Sequence, residues 1–383
     1  MKTKSVLETV ETQIQRGERL TREDALELFL ADDVVGLGRL ADHAKRARWS
    51  DRAHFVINRQ INPSNVCVLS CTFCDFATKR GRPNAYEMTI HEVLERCNAE
   101  LREVHIVGGL HPDWAWDYYL DMFRAIREKF PRIQIKAWTA VEIDYFSKKF
   151  RLSVEEVLRQ FQAVGLVALP GGGAEVFSER VRKALFPFKL GAPRWLEIHR
   201  IAHRMGIPTN ATLLYGHMET HQERVDHMLK LRALQDETKG FMSFIPLAYQ
   251  PGNTKVVVRQ ASAIEDLKTI AISRLLLDNF PHIKAYWVTM GEESASVALH
   301  FGADDIDGTI GEERIMHAAE AGSPVSLTRD RLVELIRESG CTPVERDALY
   351  QEIPRSGISE SARTRQRRQW QPDSTANERA LYR

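Results

Sequence analysis

From residue 54 onward the chain alternates short apolar or β-branched runs with longer amphipathic stretches, a pattern that predicts strand followed by helix. The runs fall at 54–61, 103–109, 133–139, 165–170, 208–215, 241–247 and 283–288, with 296–301 as an eighth candidate. The stretches between them open on a hydroxyl residue three positions before a glutamate: Thr89 and Glu92, Ser153 and Glu156, Thr220 and Glu223, Ser262 and Glu265, Thr309 and Glu312. In such a capping box the hydroxyl accepts the N3 amide while the carboxylate returns to the N-cap amide, so each pair predicts a helix start. Repeated strand–helix units predict an α/β fold with a parallel sheet, and their number favours a closed or nearly closed β/α barrel over a doubly wound sheet. Ahead of this pattern, residues 1–50 read as helices, one of them over 20–29 behind the Thr21-x-x-Asp24 cap. The expected division is therefore an N-terminal helical segment over 1–50, a β/α barrel over 51–310, a C-terminal helical extension over 311–354 and a disordered tail over 355–383. That tail holds seven arginines among Ser, Gln and Pro, which reads as a solvated tail rather than a nucleic-acid arm.

In a barrel of this kind the working groups sit at the C-terminal ends of the strands. The first run is followed there by Cys67-Val68-Leu69-Ser70-Cys71-Thr72-Phe73-Cys74, a C-x3-C-x2-C run. A [4Fe–4S] cube takes four cysteine ligands, so a loop offering three leaves one iron open to a group that is not protein. Structural zinc is the competing reading, although it usually draws on two separated Cys/His pairs and no second pair is present. A four-cysteine cluster would need Cys97 or Cys341, both of which read as packing residues. Two further strand ends are glycine-rich, Gly108-Gly109-Leu110-His111-Pro112 and Pro170-Gly171-Gly172-Gly173-Ala174-Glu175, and the second suggests close approach to a ligand. Thr139-Ala140-Val141-Glu142 brings a carboxylate that either faces the rim or caps a helix. The stretch 215–220 clusters polar groups ahead of a helix, and 304–309 reads as an acidic turn, either a cap or a ligand group.

Composition narrows the partners. A chain of 383 residues with 43% hydrophobic content buries a large core. Its formal charge of +1, with 27% charged residues, is neither a nucleic-acid footprint nor an acidic solvating composition, which leaves small molecules as the expected partners. No apolar run approaches the roughly 20 residues of a membrane span, and the N-terminus lacks a signal-peptide core. Five cysteines, three of them in one loop, argue for ligation in a reducing compartment rather than a disulfide framework, hence a cytoplasmic protein.

The cysteine loop, with Phe73 before its last thiol, resembles the defining loop of the radical S-adenosylmethionine enzymes. Together with the glycine-rich ends, 210–220, 304–309 and 341–347, it makes roughly residues 50–350 similar to the aminofutalosine synthases of the futalosine route to menaquinone. The cyclases acting on dehypoxanthine futalosine and the enzymes building the deazaflavin chromophore are the neighbouring groups. This resemblance implies a barrel with a six-stranded core that can close to eight strands. It implies that Cys67, Cys71 and Cys74 ligate a [4Fe–4S] cluster whose open iron takes S-adenosylmethionine. Phe73 resembles the position contacting the adenine, and Gly108 and Gly109 those offering carbonyls to the methionine amino group, with Leu110 where many relatives carry Glu. Glu175 falls near the ribose or methionyl end and Arg182 near the methionyl carboxylate. Thr212 stands where the family's strand-five motif usually opens with Gly. The implied reaction is addition of the 5′-deoxyadenosyl radical to 3-[(1-carboxyvinyl)oxy]benzoate, with rearrangement and loss of the acrylate carboxyl group, giving 6-amino-6-deoxyfutalosine. A flavodoxin or ferredoxin would supply the electron; neither nucleic acid nor membrane is required. Because buried carboxylates need cations or strong donors, Arg59, His111 and His217, near candidate strand ends, are the expected substrate contacts, with Asp307 beside them. A metal that only braces the fold remains the non-enzymatic alternative.

Overall fold

The strand–helix units close on themselves in the computed structural model, which describes residues 6–254 and 256–354. The strands are β1 (Arg52–Val56), β2 (Asn58–Ile61), β3 (Glu103–Ile106), β4 (Gln134–Ala137), β5 (Leu166–Ala168), β6 (Thr209–Tyr215), β7 (Phe241–Ala248), β8 (His282–Ile283), β9 (Asp305–Gly308) and β10 (Thr342–Arg346). They pair in three parallel ladders, β10-β1-β9, β2-β3-β4-β5 and β6-β7-β8. Single bridges, Leu169 to Thr209 and Lys284 to Asp305, join the ladders. With β1 and β2 sharing one position across the break at Ile57, the circuit runs from β1/β2 through β3 to β9 and back to β1. The barrel is closed at eight positions among the described residues.

Alternation along the strands decides what each face meets. Val104, Ile106, Ile135 and Ala137 are fully buried against the outer helices, whereas Gln60, His105 and Lys136 face the lumen and line its cavity. The helix Trp116–Lys129 buries Tyr119, Leu120, Met122, Phe123 and Ile126, the spacing of a core-facing stripe. Tyr119 and Phe123 meet Phe146, Trp138 and Phe161 in an aromatic cluster.

The lumen departs from the apolar layers usual in such barrels. Buried ion pairs fill its lower part: Lys136 Nζ to Glu103 Oε1 at 2.6 Å, Lys284 Nζ to Asp307 Oδ2 at 2.9 Å and Arg346 Nε to Asp305 Oδ2 at 2.7 Å. Two expectations fail here for one reason. The acidic turn at 304–309 is in fact strand β9, while the eighth candidate at 296–301 falls in the end of the helix Glu292–Ala298 and the turn that follows it. The inward positions of β9 carry Asp305 and Asp307, which ion pairs stabilise in place of apolar contacts, so the strand has no apolar alternation to read. The run 283–288 likewise yields only the two-residue β8 before the short helix Trp287–Met290.

Capping boxes at Thr89 and Thr220 form in full, Ser153 and Ser262 supply the hydroxyl bond, and Thr139 with Glu142 makes a further complete box. Thr309 caps no helix. Its hydroxyl donates to Asn58 O at 2.6 Å and accepts from Asn58 N at 3.0 Å, tying the end of β9 to β2.

Before the barrel lie α1 (Val6–Gln15), α2 (Arg22–Leu30) and α3 (Val34–Trp49), with Thr21 and Asp24 forming the capping box of α2. The segment 311–354 is not purely helical as expected, because β10 pairs with β1 from Arg52–Thr342 to Val56–Arg346. Both flanking segments belong to one compact unit with the barrel, through Glu352. The expected tail at 355–383 lies outside the described residues.

Candidate active site

The cysteine loop is held by its backbone. Cys67 N donates to Thr78 O at 2.9 Å and Val68 N to Leu110 O at 3.0 Å, and the Thr72 amide bonds Leu185 O at 2.9 Å. Lys79 Nζ donates to the carbonyls of Cys67, Val68 and Leu69, each at 2.9 Å, so the segment bends around one ammonium. Gly109 lets the end of β3 press against this segment: a Cβ there would stand 2.2 Å from Val66 O. Gly171 does the same after β5, at φ +81°, where a Cβ would meet Asn210 O at 2.0 Å. Gly109 and Gly171 thus answer to backbone packing, while Gly108, Gly109, Gly172 and Gly173 also line the cavity those strand ends enclose.

The result is one cavity of about 280 Å³ at the C-terminal ends of the strands, lined by Cys67, Cys71 and Cys74. All three are free thiols, and burial pushes Cys71 up to about 11, with Lys189 opposing. A metal binding here displaces those protons. Lys189 is paired with Glu175 and lies 5.1 Å from the centroid of the Phe73 ring. Its ammonium is held above the ordinary lysine value: burial opposes this, but Glu175 and Cys71 outweigh it. Glu142 both faces the cavity and caps a helix: it lines the cavity, is 3% exposed, closes the Thr139 capping box by accepting Thr139 N at 2.7 Å, and also accepts Gly108 N at 2.9 Å. Burial raises its carboxyl to about 7 against those bonds. Three thiols on one wall, beside a buried cation and backbone brought close by glycine, are the donor set of an iron–sulfur cluster with one open iron.

Of the sequence-predicted residues, Cys67, Cys71, Cys74, Phe73, Gly108, Gly109, Glu175, Thr212 and Asp307 line this cavity. Thr212 spends its hydroxyl on Gly171 O at 3.1 Å, and Asp307 pairs with Lys284. Four others are not brought in. Arg182 pairs with Glu179 at 2.7 Å and donates to Pro187 O at 2.6 Å; the buried cation beside the cysteines is Lys189. His111 is buried, accepts the Asp113 and Trp114 amides at 3.2 and 3.1 Å, and stacks on Trp114. His217 is satisfied by Leu214 O at 3.0 Å and the Met218 amide at 2.7 Å. Both rings shape strand-end turns. Arg59 follows Asn58 and precedes Gln60, so alternation turns it outward, against Gly311.

Sequence reasoning missed the lumen. Gln60, His105 and Lys136 stand in register on β2, β3 and β4, and all three line the cavity. The readable signal was polar residues at every second position, 58 and 60, 103 and 105, 134 and 136, inside strands otherwise taken as apolar runs.

One wall comes from the C-terminal part of the chain. Glu313 accepts the amides of Ile315 and Met316 at 2.8 and 2.7 Å, and its carboxylate lies 3.3 Å from His317 Nδ1. The hydrogen bond to Glu313 raises His317 to about 9 from 6.5, against burial. A raised histidine stabilises fully below its unfolded value and loses that contribution as pH climbs through its folded value. Amide exchange over residues 313–320, corrected for intrinsic rate, is therefore expected to accelerate between about 6.5 and about 9, and the His317→Gln variant to show no such step. The same pH step retained in the variant would contradict a stabilising Glu313–His317 contact.

A closed β/α barrel presenting a three-cysteine loop at its C-terminal rim defines the class: the chain belongs to the radical S-adenosylmethionine superfamily, whose family model matches residues 61–231. The enzymes of this superfamily use a [4Fe–4S] cluster and S-adenosylmethionine. A second model, the CofH/MqnC C-terminal region, matches residues 238–357. The chain is 47% identical to the aminodeoxyfutalosine synthase of Thermus thermophilus over 350 residues, covering 89% of this chain and 94% of that one. It is 42% identical to the aminodeoxyfutalosine synthase of Streptomyces coelicolor, over 89% and 92% of the two chains. With the cyclic dehypoxanthine futalosine synthase of Streptomyces coelicolor the identity is 38%, over 92% and 90%. Within the superfamily the chain thus belongs to the aminodeoxyfutalosine synthase family. Among solved structures, methylornithine synthase shares the fold, with a TM-score of 0.68 at 17% identity over 87% of this chain and 97% of that one.

Proposed function

We propose that this protein joins the 5′-deoxyadenosyl group of S-adenosylmethionine to 3-[(1-carboxyvinyl)oxy]benzoate, with loss of the acrylate carboxyl group, to form 6-amino-6-deoxyfutalosine. The observation that carries the reading is the convergence of Cys67, Cys71 and Cys74 on one cavity, in a chain of this family. Those thiols would hold the cluster. Gly108 and Gly109 lie where the methionyl end would sit, Phe73 near the adenine, and Glu175 and Thr212 across the same cavity. Lys189 takes the place expected of Arg182 as the cation facing the methionyl carboxylate. When bound, cluster and cosubstrate supply a one-electron cleavage that yields methionine and the 5′-deoxyadenosyl radical.

The remaining work falls to the chain. Val107, Leu214, Ile245 and Leu247 line the cavity with apolar surface, which excludes water from a reactive carbon. Ile315 and Met316, anchored by Glu313, extend that wall. A flavodoxin or ferredoxin supplies the electron, and a small molecule is the substrate. A reducing cytoplasm suits five unpaired cysteines. Neither nucleic acid nor membrane enters the reaction, and no helix among the described residues is long and apolar enough to cross a membrane.

The test is anaerobic reconstitution followed by incubation with S-adenosylmethionine and dithionite, with and without the enolpyruvyl benzoate. Methionine release that rises with this substrate, together with an adenine-containing product, supports the proposal. No methionine release under either condition would refute it.

A further inference from the structure

The lumen holds a polar rung that no step above uses. Gln60 pairs with His105 across the β2–β3 ladder, and His105 with Lys136 across the β3–β4 ladder. In a parallel ladder, partners in register point to the same face, and all three side chains line the cavity. Lys136 is 3% exposed and Gln60 6%. Gln60 is fixed by its amide, which donates to Tyr286 Oη at 2.9 Å. Lys136 reaches Glu103 at 2.6 Å, which leaves N–H groups of its ammonium to spare. His105 is the telling member. Among the described residues neither of its ring nitrogens has a hydrogen-bond partner. Burial holds it down to about 3, with Lys136 adding to the effect, so near neutral pH it is an uncharged imidazole with one donor and one acceptor idle. His105 is only partly buried, so its unpartnered ring nitrogens open onto the cavity they line, where a ligand can reach them.

We propose that the rung Gln60–His105–Lys136 is a carboxylate-binding floor and receives the aryl carboxylate of the enolpyruvyl benzoate. This rests on the function proposed above and replaces the contacts expected from Arg59, His111 and His217. The substrate carries two carboxylates, and the acrylate one leaves at the reacting end, so that end faces the cysteine rim. From His105 to Gly108 the strand climbs about 10 Å, which leaves room for an aromatic ring between floor and rim. The apolar wall of Val107, Ile245 and Leu247 takes the ring, and Lys136 with His105 takes its charge.

The test compares binding of the substrate with that of 3-[(1-carboxyvinyl)oxy]benzamide, in which only the aryl carboxylate is neutralised. Equilibrium dialysis is run on reconstituted enzyme with S-adenosylmethionine and no reductant. Wild type is expected to favour the acid by about 10- to 100-fold, the range of a hydrogen bond to a charged group. His105→Leu breaks no hydrogen bond within the protein and keeps the Lys136–Glu103 pair, so it folds. It is expected to lose most of that preference, with KM rising more than kcat falls. The double variant Glu103→Gln, Lys136→Met removes both charges together and loses the preference independently. Wild-type discrimination retained in both variants would overturn the carboxylate floor and leave the reaction standing. A wild type that binds neither compound would overturn the proposed function and the floor together.

Discussion

Replacing Cys71 by Ala is expected to abolish the cluster and, with it, all cleavage of S-adenosylmethionine. Iron and sulfide content and the cluster's visible absorption should vanish together after anaerobic reconstitution, not decline in proportion. Two cysteines cannot hold the cube in this loop, and no other thiol is placed to help. Cys97 is buried, with its Sγ 3.6 Å from Val93 O, and Cys341 lies against Lys45 Nζ at 3.8 Å; neither lines the cavity. The substitution removes a thiol from a cavity wall and breaks no described side-chain hydrogen bond, so the fold survives it. Cys341→Ala, the matching control, is expected to keep the cluster. A Cys71→Ala protein that retains cluster and methionine release would overturn the ligand assignment.

The largest effect on stability is expected at Arg346. Its guanidinium is buried, bonds Asp305 at 2.7 Å, approaches Glu103 at 3.9 Å and covers the Tyr350 ring at 4.2 Å. Burial opposes its charge, but Asp305 and the other neighbours outweigh it and hold the group above the usual arginine value. Arg346→Met leaves carboxylates in the lumen without their counter-charge, and breaking a buried pair from one side costs about 3–5 kcal/mol. The urea midpoint should fall accordingly, and Asp305→Asn in the same chain should restore part of it by removing the stranded charge. A loss below about 1 kcal/mol, the scale of an exposed pair, would show that the lumen is solvated and the pair dispensable.

The two substitutions also mark what could be read from sequence. The cysteine loop was legible because three thiols at fixed spacing have few other uses, and the helices because capping boxes are local. The β/α barrel came through the repeated units, although its strand order and closure are seen only in the ladders. The lumen did not. Lys284 and Arg346 lie well apart in sequence from Asp305 and Asp307 of β9, and the four become intelligible only as ion pairs within the lumen. Lys284 fell inside a strand run and Asp307 beside the expected substrate contacts, while the acidic stretch at 304–309 read as a turn, and nothing local to any of them pointed to a partner. His111 and His217 failed in the opposite direction: a histidine after a strand end resembles a site residue, but Nδ1 of His111 and both nitrogens of His217 serve local backbone. Arg182 was expected at the site, but the cation that lines the cavity is Lys189, whose position depends on a return of the chain past the helix Glu179–Leu185.

The central claim is that the adenosyl group ends up in the product. It is tested most directly with S-adenosylmethionine labelled throughout its adenosyl carbons, incubated with reconstituted enzyme, dithionite and unlabelled enolpyruvyl benzoate. A single adduct is expected whose mass carries the whole adenosyl label plus the substrate skeleton less its acrylate carboxyl group, formed in step with methionine. Stoichiometric labelled 5′-deoxyadenosine, with no label in any larger product, would contradict it.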